Sequence, residues 1–154
     1  MERIRASSSN KALHQLIILW GCRLSELRLA RRSHFDMEAS IWTIPKELSK
    51  NNASIRRPIP TKVCEILERL IETYKYMMFL GSDLDTPITI SAAANRYIRC
   101  IRDGLTIDDW RTHDFRCSLS NCASKLGEMP HVVVKILGHK FGGVLAVYNK
   151  HFVG

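Results

Sequence analysis

Two short β-forming runs in the middle of the chain constrain its fold most. Residues 41–44 (IWTI) stop at Pro45, and residues 55–59 (IRRPI) stop at Pro60. β-Branched and aromatic side chains favour extended backbone, and a proline ends each run because it has no N–H to give to a ladder. The stretch between them, residues 46–54 (KELSKNNAS), is polar and turn-forming. The two runs therefore read as one β-hairpin with a basic tip. A further strand is expected around residues 33–35, which makes a small three-stranded antiparallel sheet. So little sheet cannot enclose a core by itself, so helices must supply the rest.

The flanking sequence has the period for them. Residues 12–20 (ALHQLIILW) form an apolar helical stretch with Gly21 as its stop. Residues 23–31 (RLSELRLAR) follow as a second short helix, with Leu24, Leu27 and Leu29 toward the core. Thr61 is expected to cap the clearest amphipathic helix, in which Val63, Ile66, Leu67, Leu70, Ile71 and Tyr74 recur at helical spacing. After a loop at residues 81–87, Ser91 opens a helix running through Arg99 and Ile101. Thr112 is expected to cap a helix to Lys125, with Gly127 just beyond it. Pro130 takes the first position of a helix that Gly138 closes, and residues 144–152 make a last short one. Residues 1–10 read as a polar lead-in. The expected fold class is α+β, mainly helical, as one domain over residues 1–154.

Charge narrows the function. The 154 residues carry a formal net charge of +8, which suits a polyanionic partner. No apolar run is long enough to span a bilayer, and residues 1–10 (MERIRASSSN) carry no signal core, so neither membrane nor secretion is indicated. The five cysteines, Cys22, Cys64, Cys100, Cys117 and Cys122, form no C-x-x-C pair or zinc spacing. They are expected to be reduced and mostly buried, in a cytoplasmic protein. No carboxylate cluster has divalent-metal spacing, so neither metal nor cofactor is expected.

Four motifs carry the chemistry. GCRLSEL puts Arg23 at a helix start with Glu26 one turn on. The hairpin tip offers Lys50, with Lys46 as the competing lysine. THDFR puts His113 and Arg116 on one helical face. LGHK supplies His139, and AVYNKH supplies Tyr148.

In this order the motifs resemble the tyrosine recombinases, the phage integrase family, and the LGHK-to-VYNK stretch is similar to integrases of prophages and genomic islands. The resemblance spans roughly residues 11–151. It implies the recombinase catalytic-domain fold and a site-specific breaking and rejoining of DNA through a 3′-phosphotyrosine. It also implies roles. Tyr148 is the nucleophile, Arg23, Arg116 and His139 stabilise charge on the phosphate, and His113 takes the phenolic proton or orients the site. Lys50 protonates the leaving 5′-oxygen, and Glu26 holds Arg23 or a neighbouring base, or is an ordinary surface partner on its helix. The implied partners are double-stranded DNA and other integrase protomers in a tetrameric synapse, in the cytoplasm of a bacterial or phage-infected cell.

Arg56, Arg57, Asn95, Arg96 and Arg99 are the candidate DNA contacts, with Arg31, Arg32 and Arg102 near them. Relative to the family pattern, the amino-terminal DNA-binding domain is expected to be absent and the tail after Tyr148 truncated. Two other functions fit the same residues. One is an integrase remnant that binds DNA weakly without cutting. The other is a type IB topoisomerase, against which the LGHK and VYNK sequences weigh.

Overall fold

A computed structural model of the chain describes residues 2–73, 87, 91–102 and 110–138, with only the backbone at 2–8 and 91. Helix α1 spans Glu2–Trp20 and α2 spans Leu24–Arg28. A 3-10 turn at Arg32–His34 leads into β1 (Phe35–Asp36), β2 (Ile41–Ile44) and β3 (Ile55–Pro58). Helices α3 (Thr61–Thr73), α4 (Ser91–Arg102), α5 (Asp114–Lys125) and α6 (Pro130–Ile136) follow. This is the mainly helical α+β architecture with a three-stranded antiparallel sheet, in the order β1-β2-β3.

The core lies where α1 meets the sheet and α3. Leu13, Leu16, Ile17 and Trp20 follow the i, i+3, i+4, i+7 stripe of α1 and are buried with Val63 and Leu67 of α3. Trp20 packs on Trp42 with ring centroids 4.6 Å apart, and Phe35 stacks on Trp42 at 5.4 Å. The Trp20 indole N–H donates to the Pro58 carbonyl at 2.9 Å, which ties the end of α1 to β3. An aromatic group buried this way is worth about 3–5 kcal/mol against alanine.

Several boundaries differ from expectation. The helix expected from Ala12 begins at Glu2, so the polar lead-in is itself helical. Thr61 is the first helical residue of α3 rather than its cap, and the Pro60 carbonyl takes the opening N–H groups of Val63 and Cys64. Thr112 does not cap α5. His113 holds that position, and the Asp114 carboxylate accepts the Arg111 backbone N–H at 2.6 Å. The second helix is shorter than residues 23–31, and β3 stops at Pro58 rather than Ile59. Only Cys22 of the five free cysteines is buried. Cys100, Cys117 and Cys122 are exposed, which corrects the expectation of mostly buried thiols. Tyr74, the loop at 81–87 apart from Pro87, and the final helix at 144–152 lie outside the described residues. No described helix is long and apolar enough to cross a membrane.

Candidate functional site

Two glycines build the site. Gly21 ends α1 with φ +61, a conformation that L side chains rarely adopt, and a Cβ there would collide with Leu119 of α5. The chain therefore reverses at Gly21 and delivers Arg23 beside α5. Gly138 ends α6 with φ +64, and a Cβ on it would lie 2.7 Å from Ile55 and 3.1 Å from Arg57 Nη2. Both arginine-bearing elements thus close onto the carboxy-terminal end of α6.

A helix leaves its last carbonyls without intrahelical partners. Here two site residues use those groups. Arg116 Nη2 donates to the Leu137 carbonyl at 2.6 Å, and its Nη1 donates to the Gly21 carbonyl. Asn51 Nδ2 donates to the Gly138 carbonyl at 3.0 Å. Arg116 is 3% exposed, so these two bonds pin a guanidinium that solvent barely reaches. Burial first, then the charges of Arg23 and Arg57, brings its pKa down to about 10. It stays cationic at neutral pH.

Glu26 is fully buried. Its Oε1 accepts from Arg23 Nη1 at 2.8 Å, and its Oε2 accepts from the Arg23 backbone N–H at 3.0 Å. Arg57 Nη2 lies 3.2 Å from the same Oε2. Glu26 is therefore no surface partner of its helix but, among the described residues, the one carboxylate in contact with the Arg23 and Arg57 guanidiniums.

Arg57 overturns its expected place among the exposed DNA contacts. It is 1% exposed, paired across the strands with Trp42, with its guanidinium carbon 5.6 Å from that ring. Arg56, one residue earlier, points outward opposite Thr43. Strand alternation carried this signal in the sequence, since Ile55, Arg57 and Ile59 share a side. The charge of Arg57 concealed it.

Lys50 is exposed at the hairpin tip. Ser49, buried, and Asn52, with φ +50, close the turn around it through a bond from the Asn52 N–H to the Ser49 carbonyl. Its neighbour Asn51 fastens that tip to Gly138. Lys46 belongs instead to a 3-10 turn, Lys46–Leu48, before the tip. His113 is exposed one turn before Arg116, and the two line a cavity of about 250 Å³ with Val133, Val134 and Leu137. Asn95, Arg96 and Arg99 lie exposed along α4, opposite buried Ala94 and Ile98. Arg31 and Arg32 are exposed, and Arg102 donates to the Trp110 carbonyl at 3.4 Å. His139 and Tyr148 lie outside the described residues.

The structure thus brings Arg23, Glu26, Arg57 and Arg116 into one nest at the end of α6, with the Lys50 turn bound to the same point. Asn51 and the inward Arg57 are the members that the sequence did not disclose as such.

The chain matches the model of the phage integrase family over residues 1–153. It is 26% identical over 139 residues to the prophage integrase IntZ of Escherichia coli (strain K12), covering 88% of this chain and 34% of that protein. Among solved structures it resembles XerA recombinase, with a TM-score of 0.68 at 14% identity, over 99% of this chain and 62% of that one. It also resembles a lambda integrase dimer bound to a core site, with a TM-score of 0.68 at 19% identity, over 91% of this chain and 56% of that one. At these identities the structural likeness speaks for the fold. The chain spans about a third of the length of the curated relative and somewhat over half of these structures.

Proposed function

The chain belongs to the phage integrase family, and from that premise we propose that it is a catalytic domain for site-specific DNA recombination, cutting and rejoining strands through a phosphotyrosine at Tyr148. The observation that carries this reading is the nest itself: Arg23 and Arg57 paired with Glu26, and Arg116 held on the Leu137 carbonyl at the end of α6, with His139 next in the chain.

Phosphodiester cleavage by a side-chain oxygen builds negative charge on the phosphoryl oxygens. Fixed cations aimed there lower the barrier most when they need not reorganise. Arg23, half-buried and anchored by Glu26, presents such a cation at the mouth of the nest. Arg116, pinned on two carbonyls, contributes fixed positive charge behind it. The phenolic oxygen of Tyr148 attacks phosphorus, His113 takes its proton, and the bond from phosphorus to the 5′-oxygen breaks. Lys50 gives that oxygen a proton. The products are a 3′-phosphotyrosyl strand and a free 5′-hydroxyl. A 5′-hydroxyl from another strand can then attack the phosphotyrosine and reseal the backbone with no nucleotide cofactor.

Double-stranded DNA is the proposed substrate, gripped through phosphates by exposed Arg56, Asn95, Arg96 and Arg99. Partner protomers in a tetrameric synapse belong to the same reading. The prophage integrase relative and the DNA-bound lambda integrase neighbour support it.

A nicked suicide duplex tests the proposal by trapping the covalent complex. The unaltered chain should become covalently linked to the 3′ end, and Tyr148→Phe should bind the duplex equally well and trap none. A chain that binds but never captures DNA fits the remnant reading. Capture that persists in Tyr148→Phe defeats the assignment of the nucleophile.

A further inference from the structure

Phosphoryl transfer as derived above gives Arg57 no task, yet its burial is costly. On the inner face of the sheet an aliphatic residue would serve beside Ile55 and Ile59. A guanidinium there loses its hydration, a cost that one ion pair does not reliably offset. None of its three guanidinium nitrogens finds a hydrogen-bond partner among the described residues, so its contact with Glu26 is a pairing of charges. What it does have is Glu26 Oε2, at 3.2 Å from Nη2, and the face of Trp42.

That single contact bears on Arg23. Glu26 meets the Arg23 side chain through one pair of atoms only, Nη1 and Oε1. An arginine facing a free carboxylate prefers two parallel N–H···O bonds, the stronger and more directional arrangement. The second oxygen already accepts the Arg23 backbone N–H, and Arg57 stands where its charge competes for what that oxygen has left to offer.

We infer that Arg57 is a positioning residue for Arg23: by pairing its charge with Glu26 Oε2 it limits the Arg23 side chain to one N–H on Glu26 and leaves the remainder of the Arg23 fork for a phosphate. The inference rests on the phosphate-binding role of Arg23 given above. Without Arg57, the buried Oε2 keeps the Arg23 backbone N–H and turns its free lone pair to the Arg23 side chain. The fork then folds back onto Glu26, away from the mouth of the nest, and the site also loses one positive charge.

Three variants test this on the suicide duplex at saturating DNA. Arg57→Met should lower the capture rate about tenfold or more, as expected for a misdirected charge-assisted donor, with duplex affinity unchanged within about twofold. Arg57→Lys, which still offers a cation to Oε2, should restore most of the rate. Arg57→Met combined with Glu26→Gln should capture faster than Arg57→Met alone, because an amide has one acceptor oxygen and cannot draw in both Arg23 donors. Side-chain ¹⁵N spectra of arginine-labelled protein need no DNA cleavage. In Arg57→Met they should show slowed rotation of the Arg23 guanidinium.

Capture at the parent rate in Arg57→Met, a double variant no faster than the single one, or an unchanged Arg23 spectrum each overturns the inference. If the unaltered chain captures nothing, the functional reading fails and the Arg23 spectrum alone decides this one. Should Arg57→Met not fold, Arg57→Gln keeps a donor without the charge and goes through the same measurements.

Discussion

The chain carries its positive charge in two kinds of place. At the end of α6, Arg57 and Arg116 are almost wholly buried and Arg23 is largely so, each held by named partners. Along α4, Arg96 and Arg99 stand in solvent, with Arg56 likewise exposed on the outer face of the sheet. Exposed charges keep their hydration and are screened within about 8 Å at physiological salt. Buried ones are screened far less and are already oriented. In the proposed reaction the same kind of side chain then serves two ends: the α4 face raises affinity for any phosphate backbone, while the nest acts on one phosphate at the moment its charge grows. If this division is right, variants in the two regions should fail in different measurements.

The largest effect belongs to the nest. Arg116→Ala should lower capture of a suicide duplex by about 10²-fold or more at saturating DNA, because it removes fixed positive charge from behind the reacting phosphate. It also strands the carbonyls of Gly21 and Leu137, so the thermal midpoint should fall, by an amount corresponding to about 1–3 kcal/mol. Duplex affinity should hold. A variant that loses affinity instead would erase the distinction between the regions.

Lys50 sits between them, exposed like the α4 residues but fastened to the nest through Asn51. Lys50→Ala should slow capture by about 10²-fold. A duplex with sulfur in place of the leaving 5′-oxygen needs no protonation there, and should recover most of that loss. Lys46→Ala should change neither. If Lys46→Ala shows the sulfur-rescued defect, the hairpin assignment moves to Lys46.

On the α4 face the readout reverses. Arg96→Ala and Arg99→Ala should each reduce the slope of log affinity against log salt by about one, as one phosphate contact disappears. Capture at saturating DNA should stay at the parent rate. A lost slope with a lost rate would mean that α4 also positions the scissile phosphate.

How much of this the sequence disclosed follows the same divide. The hairpin was legible because prolines close both runs and a polar stretch joins them, and β2 ends where Pro45 requires. Helix α6 was legible from Pro130 and Gly138. Arg23, Glu26 and Arg116 were found because a familiar order of motifs points to them. Arg57 reads as a surface residue by its charge, although strand alternation sets it inward with Ile55. The helical start at Glu2 is hidden because residues 2–10 lack the apolar stripe that reveals a helix. Asn51 gave no signal of its own, since its partner is a backbone carbonyl 87 residues away.

The smallest effect probes what lies beneath the α4 face. His14 of α1 is 4% exposed and packs against Tyr97 of α4, with ring centroids 5.2 Å apart. Its Nδ1 donates to the Asn10 carbonyl at 2.7 Å, which leaves Nε2 as the bare ring nitrogen, buried and without a hydrogen-bond partner among the described residues. Protonation would place an N–H there with nothing to accept it, beneath a helix that carries Arg96 and Arg99, in a cavity that Lys11 and Asp114 also line. Burial accordingly lowers the His14 pKa below its ordinary 6.5, against a smaller opposing effect of the bond to Asn10. The unfolded chain then binds this proton before the folded one does, so stability present above pH 6.5 declines as pH falls through that value and levels off below the folded pKa. The thermal midpoint should therefore drop between pH 7 and pH 5. His14→Phe, which keeps a ring against Tyr97 but cannot titrate, should flatten that part of the profile, and the rate of capture at pH 7 should not change. A profile equally steep in His14→Phe would assign the acid sensitivity elsewhere. Charge on this helix would then be tolerated underneath as well as outside.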